Sequence, residues 1–144
     1  MDNLSKSERH KVMSKIKHSG TMPEKKLRRL FLSFKTKSEF NTKDVLGKPD
    51  IIIRNKKLAI FIDGCFWHGC KICRSVPKTN HDFWKRKITY NKKRRELVKK
   101  TLQKEGWVVL EFWEHEVNNS IDKVESKIIR TLNRRQNRLT QVFG

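Results

Sequence analysis

The stretch Pro49-Asp50-Ile51-Ile52-Ile53-Arg54-Asn55-Lys56-Lys57-Leu58-Ala59-Ile60-Phe61-Ile62-Asp63 decides the fold. Two short Ile-rich runs flank a polar tetrapeptide, the pattern of adjacent strands joined by a tight turn. A turn centred on Lys56-Lys57 predicts that Ile53 faces Ile60, Ile51 faces Ile62 and Asp50 faces Asp63. Directly opposed residues of an antiparallel pair hold their Cβ atoms roughly 4.5 to 5.5 Å apart. Two carboxylates so placed repel unless a cation or a shared proton intervenes. Mg²⁺ suits the position, since it takes one or two carboxylates, keeps several waters and assists phosphodiester hydrolysis. The plainer alternative is a pair of strand-end acids facing solvent.

Downstream, Asp63-Gly64-Cys65-Phe66-Trp67-His68-Gly69-Cys70-Lys71-Ile72-Cys73 packs all three cysteines of the chain into nine residues. In a reducing compartment such a cluster points to a metal rather than to disulfides. A closed zinc site needs a fourth nitrogen or sulfur ligand. Of the five histidines, His115 is the best placed, because it follows the strand-like run Trp107–Trp113 and can return beside the hairpin in the same sheet. A redox pair or plain buried thiols are the alternatives, and a thioredoxin-like role is disfavoured because the Cys-x-x-Cys is not expected to open a βαβ unit.

The rest of the chain reads as basic helices. Lys plus Arg number 35 against 15 Asp plus Glu, a net charge of +20 on 144 residues. That is well beyond the magnitude of about 2 to 8 that solubility asks of a small domain. The excess favours a polyanionic partner, nucleic acid before an anionic membrane surface. No apolar run approaches the roughly 20 residues of a membrane span, and Met1–Lys6 does not lead into a secretory signal. A cytoplasmic protein of one domain, residues 1–144, is expected. Residues 1–20 form an N-terminal arm. Thr21-Met22-Pro23-Glu24 starts a helix with Leu27, Leu30, Phe31 and Phe34 on one face, where Glu24 can act simply by complementing the helix dipole. A basic helix over 81–105, ended by Gly106, carries Phe83, Trp84, Ile88, Leu97, Val98 and Leu102. Residues 120–144 supply a last basic helix.

With Pro49-Asp50, Cys65-Phe66-Trp67-His68, Pro77-Lys78-Thr79-Asn80, Phe83-Trp84 and Gly106-Trp107-Val108-Val109-Leu110 set side by side, the chain from about Arg9 to about Val117 resembles the very short patch repair endonucleases, the Vsr family. The resemblance implies a restriction-endonuclease-like α/β fold, a central mixed sheet flanked by helices. It implies a bacterial, nucleoid-associated, monomeric nickase that cuts double-stranded DNA 5′ of the T in a T:G mismatch left by deamination of 5-methylcytosine. A functional link to a cytosine-5 DNA methyltransferase and to mismatch-repair proteins goes with it. By motif matching, Asp50 would hold Mg²⁺, His68 would be the catalytic base or water-orienting group, and Glu24 would be the acid contributed by the N-terminal helix. Cys65, Cys70, Cys73 and His115 match the structural zinc ligands, with Cys and His exchanged between positions relative to many members. Phe66, Trp67 and Trp84 match aromatic wedges, Met13 matches an apolar arm residue entering the stack, and Lys87 and Asn91 complete the expected DNA contacts.

Two departures bear on the chemistry. The best-known relative has His where Asp63 stands, so Asp63 is open between second metal ligand and base. The nuclease pattern of Pro-Asp followed by acid-x-Lys has Cys65 in place of its lysine, which leaves His68 as proton acceptor. A double-strand endonuclease of the same fold, or a zinc-stabilised DNA-binding module without catalysis, are the competing readings.

Overall fold

A computed structural model describes residues 22–34, 36–66, 68–73 and 78–143, the segment 136–143 by its backbone only. The arm 1–20, with Met13, and Trp67 lie outside the described residues. The elements are α1 (Met22–Leu32), β1 (Glu39–Phe40), β2 (Ile51–Ile53), a 3-10 turn (Arg54–Lys56), β3 (Leu58–Asp63), α2 (His81–Lys104), β4 (Val108–Trp113), α3 (Glu114–Asn119) and α4 (Ile121–Phe143).

The sheet runs β1-β2-β3-β4. β1 and β2 are antiparallel, β2 and β3 are antiparallel, and β3 and β4 are parallel across the α2 crossover. It is therefore mixed, with helices on both sides. Alternation along the strands sends Ile51, Ile53, Leu58, Ile60, Leu110 and Phe112 to a face covered by α1, α3 and α4. Ile52, Ala59, Phe61 and Val109 turn to the other face, against Leu102 and Val98 of α2. Both faces of β3 are thus buried, which is why it reads as a nearly unbroken apolar run. Among the described residues no helix is long and apolar enough to cross a membrane.

The hairpin exists, but its register corrects the one expected. Ile51 pairs with Ile60, Ile52 with Ala59 and Ile53 with Leu58. Residues 54–57 form the connection, a 3-10 turn closed by Lys57 at φ 48°. A two-residue turn would have required positive φ at two successive lysines, a conformation favoured by Asn and Gly. The slip means that Asp50 is not opposite Asp63. On the other edge of β3, Asp63 pairs along the parallel ladder with Trp113.

Gly106 ends α2 as expected. It adopts φ +91°, its N–H donates to the Gln103 carbonyl at 3.1 Å and that of Trp107 to the Leu102 carbonyl at 3.0 Å. That doubly bonded termination needs a left-handed residue. Arg135 of α4 then ties the two turns at this end together, donating to the carbonyls of Lys56 and Gly106, each at 2.8 Å. Arg135→Ala should destabilise the fold by about 1 to 2 kcal/mol, read as a lower urea midpoint with an unchanged slope; an unchanged midpoint would remove this role.

Candidate active site and metal centre

The carboxyl ends of β3 and β4 carry the chemistry, in keeping with ligand sites of α/β sheets. Because Asp63 and Trp113 are register partners, Cys65 and His115, each two residues further on, emerge side by side. His115 is reached on α3, a helix the sequence did not announce, rather than on an extended strand. The loop after β3 folds back through Cys70 N–H to Cys65 carbonyl at 2.8 Å and His68 N–H to Gly64 carbonyl at 3.1 Å. Gly69 is at φ +64°, and a Cβ there would lie 2.7 Å from Ile88 Cγ2 and 2.9 Å from Lys92 Cε. Only glycine lets the loop approach α2 so closely.

His115 Nδ1 lies 3.3 Å from Cys65 Sγ and 3.5 Å from both Cys70 Sγ and Cys73 Sγ. All four ligand atoms fall within 4.8 Å of one another. Tetrahedral zinc, at about 2.3 Å from sulfur and about 2.0 Å from nitrogen, spaces such atoms about 3.5 Å apart. The set therefore fits a zinc ion. Burial pushes the Cys65 thiol up to about 12, so a proton holds that sulfur until a cation displaces it. Cys70 and Cys73 do stand in the connection that opens the β3–α2–β4 crossover, contrary to expectation, but α2 begins only at His81 and the thiols converge on His115.

The second centre is built on Asp50, just before β2. Its backbone N–H donates to the Ile60 carbonyl at 2.9 Å, and its Oδ2 accepts from the Ile62 N–H at 2.6 Å. The carboxylate brought against it is Glu24 of α1, which is 9% exposed and shares a hydrogen bond with Asp50. Both line a small cleft with Arg28, Phe40, Asn41 and Ile62. Asp63 is not among the lining residues. The carboxylate pair is thus Asp50 with Glu24, a correction to the cross-strand pair Asp50 with Asp63. Burial drives the Asp50 carboxyl up from 3.8 to about 7, against the Ile62 N–H and with the help of Glu24. Two hard oxygen donors in a cleft fit Mg²⁺, which would relieve that repulsion.

Asp63 has other company. It is 6% exposed and forms an ion pair with Arg95 Nη1, while His68 Nε2 lies 3.7 Å from its Oδ1. Burial raises the Asp63 carboxyl while Arg95 and His68 pull it down. Burial also lowers the His68 imidazole below its ordinary value, with Asp63 opposing. Trp84 is 3% exposed and supports Phe66 edge-to-face at 5.4 Å. It is therefore not presented at the surface as a wedge, whereas Phe66 is half-buried and Lys87 exposed. Sequence reasoning missed Arg95. Its signal was position: Trp84, Ile88, Asn91, Arg95, Val98 and Leu102 form one stripe at alternating spacings of four and three, and the charged member sits where an apolar one is expected.

A mixed sheet flanked by helices, with a Cys3His group able to bind zinc beside a carboxylate cleft, defines a restriction-endonuclease-like α/β protein. Residues 1–74 match the family described as DNA mismatch endonuclease Vsr. The chain is 36% identical over 120 residues to the Type II nicking enzyme V.XorIIP of Xanthomonas oryzae pv. oryzae, covering 82% of this chain and 88% of that one. It is 35% identical over 135 residues to the Type II nicking enzyme V.HpaIIP of Haemophilus parainfluenzae, covering 92% and 96%. With the DNA mismatch endonuclease Vsr of Escherichia coli it shares 34% identity over 115 residues, covering 78% and 73%. The chain belongs to the Vsr family and is, by that membership, a DNA endonuclease.

Two outcomes follow for the metal sites. Cys70→Ser or His115→Ala should abolish stoichiometric zinc by elemental analysis and lower the melting temperature, since ligand binding energy of a structural site is folding energy; retained zinc at one ion per chain would exclude the Cys3His assignment. The raised Asp50 carboxyl keeps its proton longer in the folded than in the unfolded chain, so its contribution favours folding below about pH 4 and is lost as pH rises through about 7. Without divalent cations, Asp50→Asn should therefore stabilise the protein at pH 8 by about 1 to 2 kcal/mol and leave it unchanged near pH 4; equal melting at pH 8 would show that Asp50 is ionised without strain.

Proposed function

We propose that the protein nicks double-stranded DNA 5′ of the T in T:G mismatches arising from deaminated 5-methylcytosine, the first step of very short patch repair. The observation that carries this reading is the hydrogen-bonded Asp50–Glu24 carboxylate pair lining a cleft in a chain of the mismatch-endonuclease family.

Asp50 and Glu24 would hold Mg²⁺, which when bound polarises the scissile phosphate and acidifies a bound water. Asp50 is kept in place by the Ile62 N–H. His68, whose Nε2 faces Asp63 at 3.7 Å, would orient or deprotonate the attacking water. Cys65, Cys70, Cys73 and His115 hold structural zinc, which stiffens the loop bearing Phe66 and His68, as a site built on a loop requires. Phe66 and Trp67, with Met13 from the arm, wedge into the stack beside the mismatch, and Trp84 backs Phe66. A mismatched pair is less costly to unstack, and a kinked duplex presents more phosphate to Lys87, Asn91 and their basic neighbours. The enzyme acts as a monomer in the cytoplasm, downstream of a cytosine-5 methyltransferase.

One observation favours a second reading. Two of the relatives are named Type II nicking enzymes, which suggests sequence-directed nicking beside a restriction system. Strand-resolved nicking with Mg²⁺ on matched T:G and C:G duplexes at methyltransferase recognition sequences separates the two. Cutting only 5′ of the mismatched T, reduced at least about 10³-fold in Asp50→Asn and His68→Ala, is expected. Equal cutting of the C:G duplex would transfer the assignment to the sequence-directed enzyme, and Mg²⁺-independent behaviour of all three proteins would remove catalysis from Asp50.

A further inference from the structure

We propose that Arg95 is a positioning residue of the nuclease centre: its guanidinium clamps Asp63, and through Asp63 it sets the orientation of the His68 imidazole. This rests on the nuclease reading above and assigns Asp63 to neither of the roles left open by the sequence.

Arg95 enters from α2 with its guanidinium 4.0 Å above the Phe61 ring and its side chain only 17% exposed. One edge meets Asp63, and Glu111 Oε2 lies 3.8 Å from the same nitrogen. Glu111 is held in turn by Lys99 Nζ at 3.0 Å. A chain of alternating charge therefore runs Lys99, Glu111, Arg95, Asp63, His68. The guanidinium is engaged by two carboxylates and a ring face, so it is not free to read a DNA phosphate. Nor is burial of such a cluster explained by stability, since an apolar side chain at this point of the stripe would pack on Phe61 without desolvating charges. What the arrangement does supply is direction. Arg95 draws Asp63 toward α2 and away from the Asp50–Glu24 cleft, leaving its Oδ1 3.7 Å from His68 Nε2. That spacing is too long for a hydrogen bond in the free protein and can tighten when substrate seats. The guanidinium also supplies a cation beside Asp63, where Cys65 stands at the lysine position of the generic acid-x-Lys nuclease pattern, but from a helix 32 residues beyond Asp63.

The test uses the full-length, zinc-loaded chain with Mg²⁺ and the T:G duplex. Arg95→Met is expected to lower kcat about 10- to 100-fold with KM changed less than about twofold, and Arg95→Lys to recover part of the loss. Arg95→Met combined with Asp63→Asn should be no slower than Asp63→Asn alone, because the first acts through the second. Losses that multiply, a KM rise at constant kcat with a shallower salt dependence, or undiminished turnover would each overturn the proposal. Histidine-ring NMR of Arg95→Lys without DNA supplies an arm independent of turnover: displaced His68 ring signals with unmoved His115 signals are expected, and unmoved His68 signals overturn it. Should the wild type nick no duplex, the nuclease reading fails by itself, while the ring spectra still report on the clamp.

Discussion

The parallel pairing of β3 with β4 is the constraint on which the rest depends. Its register, Asp63 beside Trp113, brings two segments separated by the whole of α2 to the same edge. From there one segment turns into the cysteine loop and the other into α3. The Cys3His group, the Asp63–Arg95 pair and the seat of His68 are all consequences of where those two strands stop. Burial of β3 on both faces fixes the register strongly, since a slip by one residue would exchange Ile60 and Phe61 between two different cores.

Around that axis the charges are separated into two compartments. On the side of α1, Asp50 and Glu24 oppose each other in a cleft that a hard cation would satisfy. On the side of α2, Asp63 is already answered by a cation from the protein. Burying charge this way lowers stability relative to an apolar core, and the strain is confined to the residues nearest the proposed chemistry, as is common at functional sites.

Much of this was legible in the chain. The hairpin, the strand 108–113, the basic helix over 81–104 and the Cys3His group follow from periodicity, a glycine stop and ligand chemistry, all of which are local. What failed to show was relative placement. The hairpin connection spans residues 54–57 rather than centring on Lys56-Lys57, so the ladder slipped and Asp63 does not face Asp50. Local pattern read Glu24 only as a dipole partner and the family resemblance alone made it a site acid, because nothing local says that its helix brings it against Asp50. Arg95 was one of 35 basic residues, distinguishable solely by its place on a buried stripe. The exposure of Trp84 was misjudged for the same reason, since Trp84 belongs to that stripe too.

The glycine in the cysteine loop carries a mechanical implication. Where backbone lies so near Ile88 and Lys92 that a single carbon would not fit between them, loop and helix have no slack. Cys65 and Cys70, two of the four residues able to hold zinc, bracket that contact, and Ile88 and Lys92 of α2 form its other side. The backbone one residue after His68 therefore rests directly on the side chains of Ile88 and Lys92, so that the loop and this turn of α2 keep a single spacing.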